Sequence, residues 1–278
     1  MSALGTTLRL PATRGEDAGG VTQGRVLRSE WTKLWSLRST RWALAVGVLG
    51  LLLGIANSTF DMARWSSLPL HVRLHYKSID NSLIGWHFSQ LAIGVLGVLV
   101  ITGEYATGMI RSTFMAVPRR LPVLWAKVLV FAAVVFVLAV PATFVDFLIS
   151  SAILTQHHVS PSLSSPHALR AVIGIPLFLT VLAVFTVALG ALLRNTAAAI
   201  AAFAGILFVL PGFVGVLSTN LQNAIGPYLP SNAASALFTA TPSPDNHWLH
   251  PWVGFAVFCA YAVVLLIAAA ILLVKRDV

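Results

Sequence analysis

A chain of 278 residues that is 57% hydrophobic and only 10% charged, with a mean hydropathy of +0.85, carries more apolar surface than a water-soluble fold can expose. Composition excludes an ordinary soluble domain and points to an integral membrane protein. The net charge of +9 comes without a soluble basic domain, so it reads as a topology signal and excludes nucleic acid as a partner.

Residues 1–24 are rich in Gly, Thr and charge and have no apolar stretch of signal-peptide type, which predicts a disordered cytoplasmic tail. Next comes RVLRSEWTKLWSLRSTRW, residues 25–42. On a helix at about 100° per residue, Val26, Leu27, Trp31, Leu34, Trp35 and Leu37 share one half. Arg28, Ser29, Thr32, Lys33, Ser36 and Ser39 share the other. The pattern predicts an amphipathic helix over 25–41 in the cytoplasmic interface, with tryptophans at headgroup depth. Glu30, Arg38 and Arg41 interrupt its apolar half, so the helix should also touch protein. A soluble amphipathic helix is the competing reading, disfavoured because a span follows without a linker.

Apolar runs of about 20 residues match a hydrocarbon core of about 30 Å. Six occur, at 42–60, 84–102, 124–153, 169–193, 197–217 and 252–274. Pro141 should tilt or kink the long third run, and Pro176 and Pro211 interrupt the fourth and fifth. With both termini inside, Arg9, Arg14, Arg25, Arg28, Lys33, Arg38, Arg41, Arg111, Arg119, Arg120, Lys127, Arg194, Lys275 and Arg276 are cytoplasmic. Only Arg64, Arg73, Lys77 and Arg170 then lie outside, so the fold class is all-α with six spans and cytoplasmic ends. The domain that spans the membrane is 42–278. Of its outer loops, 61–83 is mixed and locally helical, 155–168 is loop-like in its Pro and Ser content, and LPSNAASALFTA in 218–251 suits a short helix dipping into the outer leaflet.

Between the second and third runs lies GEYATGMIRSTFMAVPRR, residues 103–120. A helix over 104–117 places Tyr105, Met109, Ile110, Thr113, Phe114, Ala116 and Val117 in one half and Glu104, Thr107, Gly108, Arg111 and Ser112 in the other. Pro118 ends it, and Arg119 and Arg120 mark the cytoplasmic side. Glu104 and Arg111, two turns apart on this polar face, read either as a solvated loop face or as a docking contact, the latter favoured by an acid placed directly after a span where basic residues are expected. Gly103 and Gly108 have the spacing of a phosphate loop, but Met109 and Ile110 stand where Lys and Ser or Thr are needed, so any ATP is bound by another chain.

Catalytic chemistry finds little support. There is no G-x-S-x-G and no Ser-His-Asp set at a shared depth, which argues against a membrane-anchored enzyme. Asp146 is the exceptional carboxylate within a span: it either lines a translocation path or moves a proton, or it is a snorkelling or paired group near the outer interface, with Arg170 as the candidate partner. The eight histidines fall at the outer ends, and His71 and His75 share a helix face without a further ligand, so no metal is assigned. The lone cysteine, Cys259, reads as packing.

The segments RSEWTKLWSLRSTRW and ITGEYATGMIRSTFMAVPRR resemble those of permease subunits of type-2 ATP-binding-cassette transporters, particularly small bacterial ones. The six-span layout extends the resemblance over the whole chain. It implies that 25–41 is the elbow helix, with Arg28, Glu30, Trp31, Lys33, Trp35 and Arg38 in it. It also implies that 103–120 holds the coupling helix, with Glu104, Tyr105, Thr107, Gly108, Arg111, Ser112, Arg119 and Arg120 docking on a separate ATPase that binds Mg-ATP. A second permease, the same or similar, a bacterial plasma membrane and export as the direction follow from the same likeness; the permease itself binds no cofactor. The first outer loop, with Asp61, Asp80 and three basic residues, departs from a minimal connector and leaves room for an outer role. A gradient-driven transporter and a non-transporting subunit that binds an ATPase are the alternative readings.

Overall fold

The computed structural model describes residues 22–116, 120–157, 159, 161–242 and 249–275, and every regular element among them is helical. The chain enters through α1 (Gln23–Ser36). The extended backbone of Leu37 then turns it into the first span, α2 (Arg38–Leu51) and α3 (Leu53–Ala63). The short helices α4 (Leu70–Leu74) and α5 (Ser78–Ser82) form the first outer loop. The second span, α6 (Trp86–Ala106), leads to α7 (Met109–Ala116) and the third, α8 (Arg120–Thr155). The fourth is α9 (Ala168–Leu193). The fifth joins α10 (Thr196–Ala204) to α11 (Leu210–Gly215) through a π-helical turn, and the sixth is α14 (Pro251–Lys275). Between the last two spans lie α12 (Thr219–Ile225) and α13 (Pro230–Ser235).

Each apolar run falls on one of the six spanning helices, to within four residues at every end. At about 1.5 Å per residue the 36-residue α8 is about 54 Å long and must project beyond the hydrocarbon core. The prolines act locally. Pro141 and Pro176 sit inside continuous helices, and the Thr180 hydroxyl donates to the Pro176 carbonyl at 2.7 Å. In the fifth span the widened turn, residues 205–209, immediately precedes Pro211, whose missing N–H cannot continue an α-helical ladder.

The fourth span is the centre of the bundle. Its apolar window is 72% buried, against 22% for the fifth, and it packs on α6, α8 and α14. Small residues permit the approach: a Cβ at Gly97 would strike the Thr186 hydroxyl, and one at Gly190 would lie 2.8 Å from Ile101. Toward the outer side Trp86, Phe178, Phe238 and Phe258 stack edge to face or tilted at 4.8 to 5.7 Å between centroids.

The outer side is tied together by polar groups. The Arg170 guanidinium donates to the carbonyls of Ala236, Leu237 and Thr239, fixing the chain that leaves α13. The Asp80 carboxylate accepts from the backbone N–H of Ala240 and Thr241 and from the Thr241 hydroxyl, joining the first outer loop to the third. Tyr76 donates to Asp61 at 2.8 Å; burial first, and that carboxylate second, push its phenol above the ordinary tyrosine range. The excess charge in the first loop thus has structural work in Asp61 and Asp80.

A charged ring at the basic end of the bundle

The even number of spans brings α1 and the end of α14 to the same side as α7, the side that the Lys and Arg bias assigns to the cytoplasm. There α1 divides its apolar half in two. Val26, Glu30 and Leu34, one turn apart, face inward, and Val26 packs with Val123 and Ala126 of α8. Trp31, Trp35 and Leu37 stay exposed, with the two indoles 5.7 Å apart, as a helix in the headgroup layer requires. Arg28 and Arg38 are exposed as well.

Glu30 explains why the inward edge tolerates a charge. Its Oε2 accepts from Lys127 Nζ at 2.7 Å and its Oε1 from Lys33 Nζ at 2.7 Å. Glu104, near the end of α6, closes the figure by accepting on Oε1 from Lys127 at 2.6 Å and from Lys33 at 3.0 Å. Two acids and two lysines alternate in a ring of zero net charge that pins α1 to α6 and α8. Lys127 and Glu30 are 2% and 3% exposed, so these charges have exchanged water for one another. Lys33 lies at the rim and reaches on to the Thr113 hydroxyl of α7 at 3.5 Å.

Burial alone would lower the Lys33 pKa, but its hydrogen bonds and attraction to Glu30 and Glu104 outweigh it, and the ammonium is held above its ordinary 10.5. Because the folded value exceeds the unfolded one, this lysine's contribution to stability is complete below the unfolded value and is lost as pH climbs through the folded one. Thermal midpoints measured from about pH 9 to pH 12 should therefore fall more steeply in the native protein than in Lys33→Met. Parallel curves would show that the ring does not hold this proton.

The single helix expected over 104–117 is corrected. Glu104 and Tyr105 belong to the end of the second span, and the chain breaks at Thr107 and Gly108 before restarting as α7. Gly108 has φ +73°, a left-handed conformation that ends the first helix at little steric cost. Glu104 therefore points into the ring and not along an exposed face. The remaining residues of the segment divide. Thr107, Gly108, Met109, Ser112 and Met115 are exposed. Tyr105 is half-buried with Arg194 above its ring at 5.4 Å. Arg120 donates to the Leu273 carbonyl and Arg194 to that of Leu272, where basic groups complement the C-terminal end of α14. Arg119 and the side chain of Arg111 lie outside the described residues.

Lys127 is the member that sequence reasoning missed. It was countable only as one more inner basic residue, although a lysine inside the third apolar run, with two unexplained acids in flanking segments, was a signal of pairing. Asp146 is not paired with Arg170. It is 1% exposed and accepts from the backbone N–H of Ile55 at 2.9 Å, where α3 restarts after the break at Leu52. Arg170 is engaged with carbonyls instead. Among the described residues no three His, Cys, Asp or Glu side chains converge, and the His75 ring bonds to the His71 carbonyl. Comparison with protein-family models finds no match, and neither does a search of curated proteins.

Proposed function

We propose that this multi-pass membrane protein is the permease subunit of an ATP-binding-cassette exporter, working as a pair of permeases with a separate ATPase in a bacterial plasma membrane. The observation that carries this reading is α7: a short helix between two spans that exposes Met109, Ser112 and Met115 at the basic end and is braced at its root by the charged ring. Such a helix offers a partner an apolar ridge set among polar groups, and any push on it passes through Lys33 and Glu104 into α1, α6 and α8. In this reading Glu104 is a positioning residue and the exposed face of α7 makes the contact. The resemblance of the two quoted segments supports it, and so does the absence of a phosphate loop in this chain.

Gentle purification of the tagged protein is expected to bring down an ATPase chain that hydrolyses Mg-ATP. Met115→Glu combined with Ser112→Glu, both exposed and away from the ring, should abolish that association while leaving the membrane-inserted yield unchanged. A solitary protein, reproduced under milder extraction, would overturn the assignment and favour the gradient-driven alternative.

A further inference from the structure

The first span is broken at Leu52 in mid-membrane, and the break is lined with oxygen. Gly54, in the first turn of α3, has no side chain, and a β-carbon there would collide with the Ser82 carbonyl oxygen and with both Asp146 carboxylate oxygens. Three oxygens therefore crowd one bare stretch of backbone. Asp146 Oδ1 has the Ile55 N–H as donor; no other described group donates to this carboxylate, and no described lysine or arginine pairs with it. The Ser82 hydroxyl is already bonded to the Ile79 carbonyl.

A second observation lies one turn away. Ser58 and Ser150 are both 0% exposed, and neither hydroxyl has a hydrogen-bond partner. Both α3 and α8 run from the basic end outward and pack together, with Gly54 against Asp146, and Ser58 and Ser150 each lie four residues, about one turn, further along the same two helices. Unsatisfied buried hydroxyls beside an uncompensated buried carboxylate are costly inside a bilayer, and one occupant could relieve all of them.

We infer that a sodium ion binds here, held by the Asp146 carboxylate, the Ser82 carbonyl and the Ser58 and Ser150 hydroxyls. The donor set is all oxygen, which selects a hard cation. It carries a single negative charge, which matches a monovalent ion, and the crowding at Gly54 favours the smaller of the common ones. Broken spanning helices use freed carbonyls and carboxylates in this way. A proton on Asp146 shared with Ser82 would satisfy only two of the four oxygens and leave both serines orphaned. The inference does not rest on the permease reading, because the isolated chain answers it.

The full-length protein in nanodiscs of fixed lipid composition is heated while tryptophan fluorescence is followed, at constant ionic strength in sodium, potassium or choline chloride. Sodium is expected to raise the midpoint saturably, by about 3 °C or more, and potassium and choline far less. Asp146→Asn keeps an acceptor for Ile55 and adds an amide donor toward Ser82, so it should fold and lose the sodium response. Ser58→Ala with Ser150→Ala should weaken the apparent sodium affinity about tenfold or more, and serves the same purpose if Asp146→Asn does not fold. Equal midpoints in the three salts overturn the site and leave a protonated Asp146. An undiminished sodium response in both variants overturns it too, by placing the ion elsewhere.

Discussion

Lys127→Ala is expected to be among the most damaging single substitutions in this protein, lowering stability by about 3–5 kcal/mol. The reason is not the loss of two attractive contacts but what they leave behind. Lys127 neutralises Glu30 at 2.7 Å and Glu104 at 2.6 Å at a site that water does not reach. Without it both carboxylates are buried against each other with only Lys33 between them, and α1 should detach from α8 to let them hydrate. Heat-challenged detergent extracts, followed by the fraction of monodisperse protein, would show this as a midpoint lowered by roughly 10 °C or more. The triple change Lys127→Met, Glu30→Gln and Glu104→Gln removes the three buried charges and leaves only Lys33, which lies at the rim where water reaches it, so it should recover most of the loss: buried ions replaced by neutral groups are often near neutral in stability. A triple variant as unstable as the single one would mean that packing around the lysine stem, and not charge, holds α1 in place.

Gly85→Ala should be comparably severe by a different route. Its β-carbon would collide with the carbonyl oxygens of Gly50 and Leu51 and lie 2.8 Å from the Leu51 carbonyl carbon, all of them backbone atoms that cannot swing aside. The start of α6 would have to move off the break in the first span, and the buried bond from the Ser89 hydroxyl to the Gly47 carbonyl, 2.7 Å long, would go with it. The expected cost is about 3 kcal/mol, the upper end for overpacking a well-filled site. Gly103→Ala is the control: its added methyl meets nothing within 4 Å, and in a helix it should be neutral or slightly stabilising. Thermal midpoints of the two variants side by side test the claim, and equal values would show that α6 shifts freely at its outer end.

The same local logic separates what could be read early from what could not. The six spans were legible because a hydrocarbon core of about 30 Å imposes a run length on each segment whatever its neighbours are. The amphipathic stretch before the first span was legible for a similar reason, since tryptophan spacing reports one helix face. The split of its apolar half, into Val26 and Leu34 against protein and Trp31 and Trp35 outward, was not, because both environments accept apolar groups. The short helices of the outer loops fell where turn residues and apolar content suggested them.

The site was less legible. Glu104 looked like part of a solvated face because a helical projection continued through Gly108, whose left-handed backbone in fact ends the helix. Asp146 looked like a partner for Arg170 because both lie toward the outer side. The break at Leu52 supplies the acceptor's real partner, the Ile55 N–H, and no proline announces that break.

Sequence by itself thus determined that the chain is a six-span helical membrane protein and how its basic residues divide between the two sides. These depend on composition and on spacing within one segment. Tertiary structure alone decided that Glu30, Lys33, Glu104 and Lys127 form one ring, and that Gly54 lies against the Ser82 carbonyl and the Asp146 carboxylate. The residues of each set come from segments up to 97 positions apart, as Glu30 and Lys127 are. Their meeting depends on how whole helices dock, and docking is set by small residues and buried partners that no single segment records.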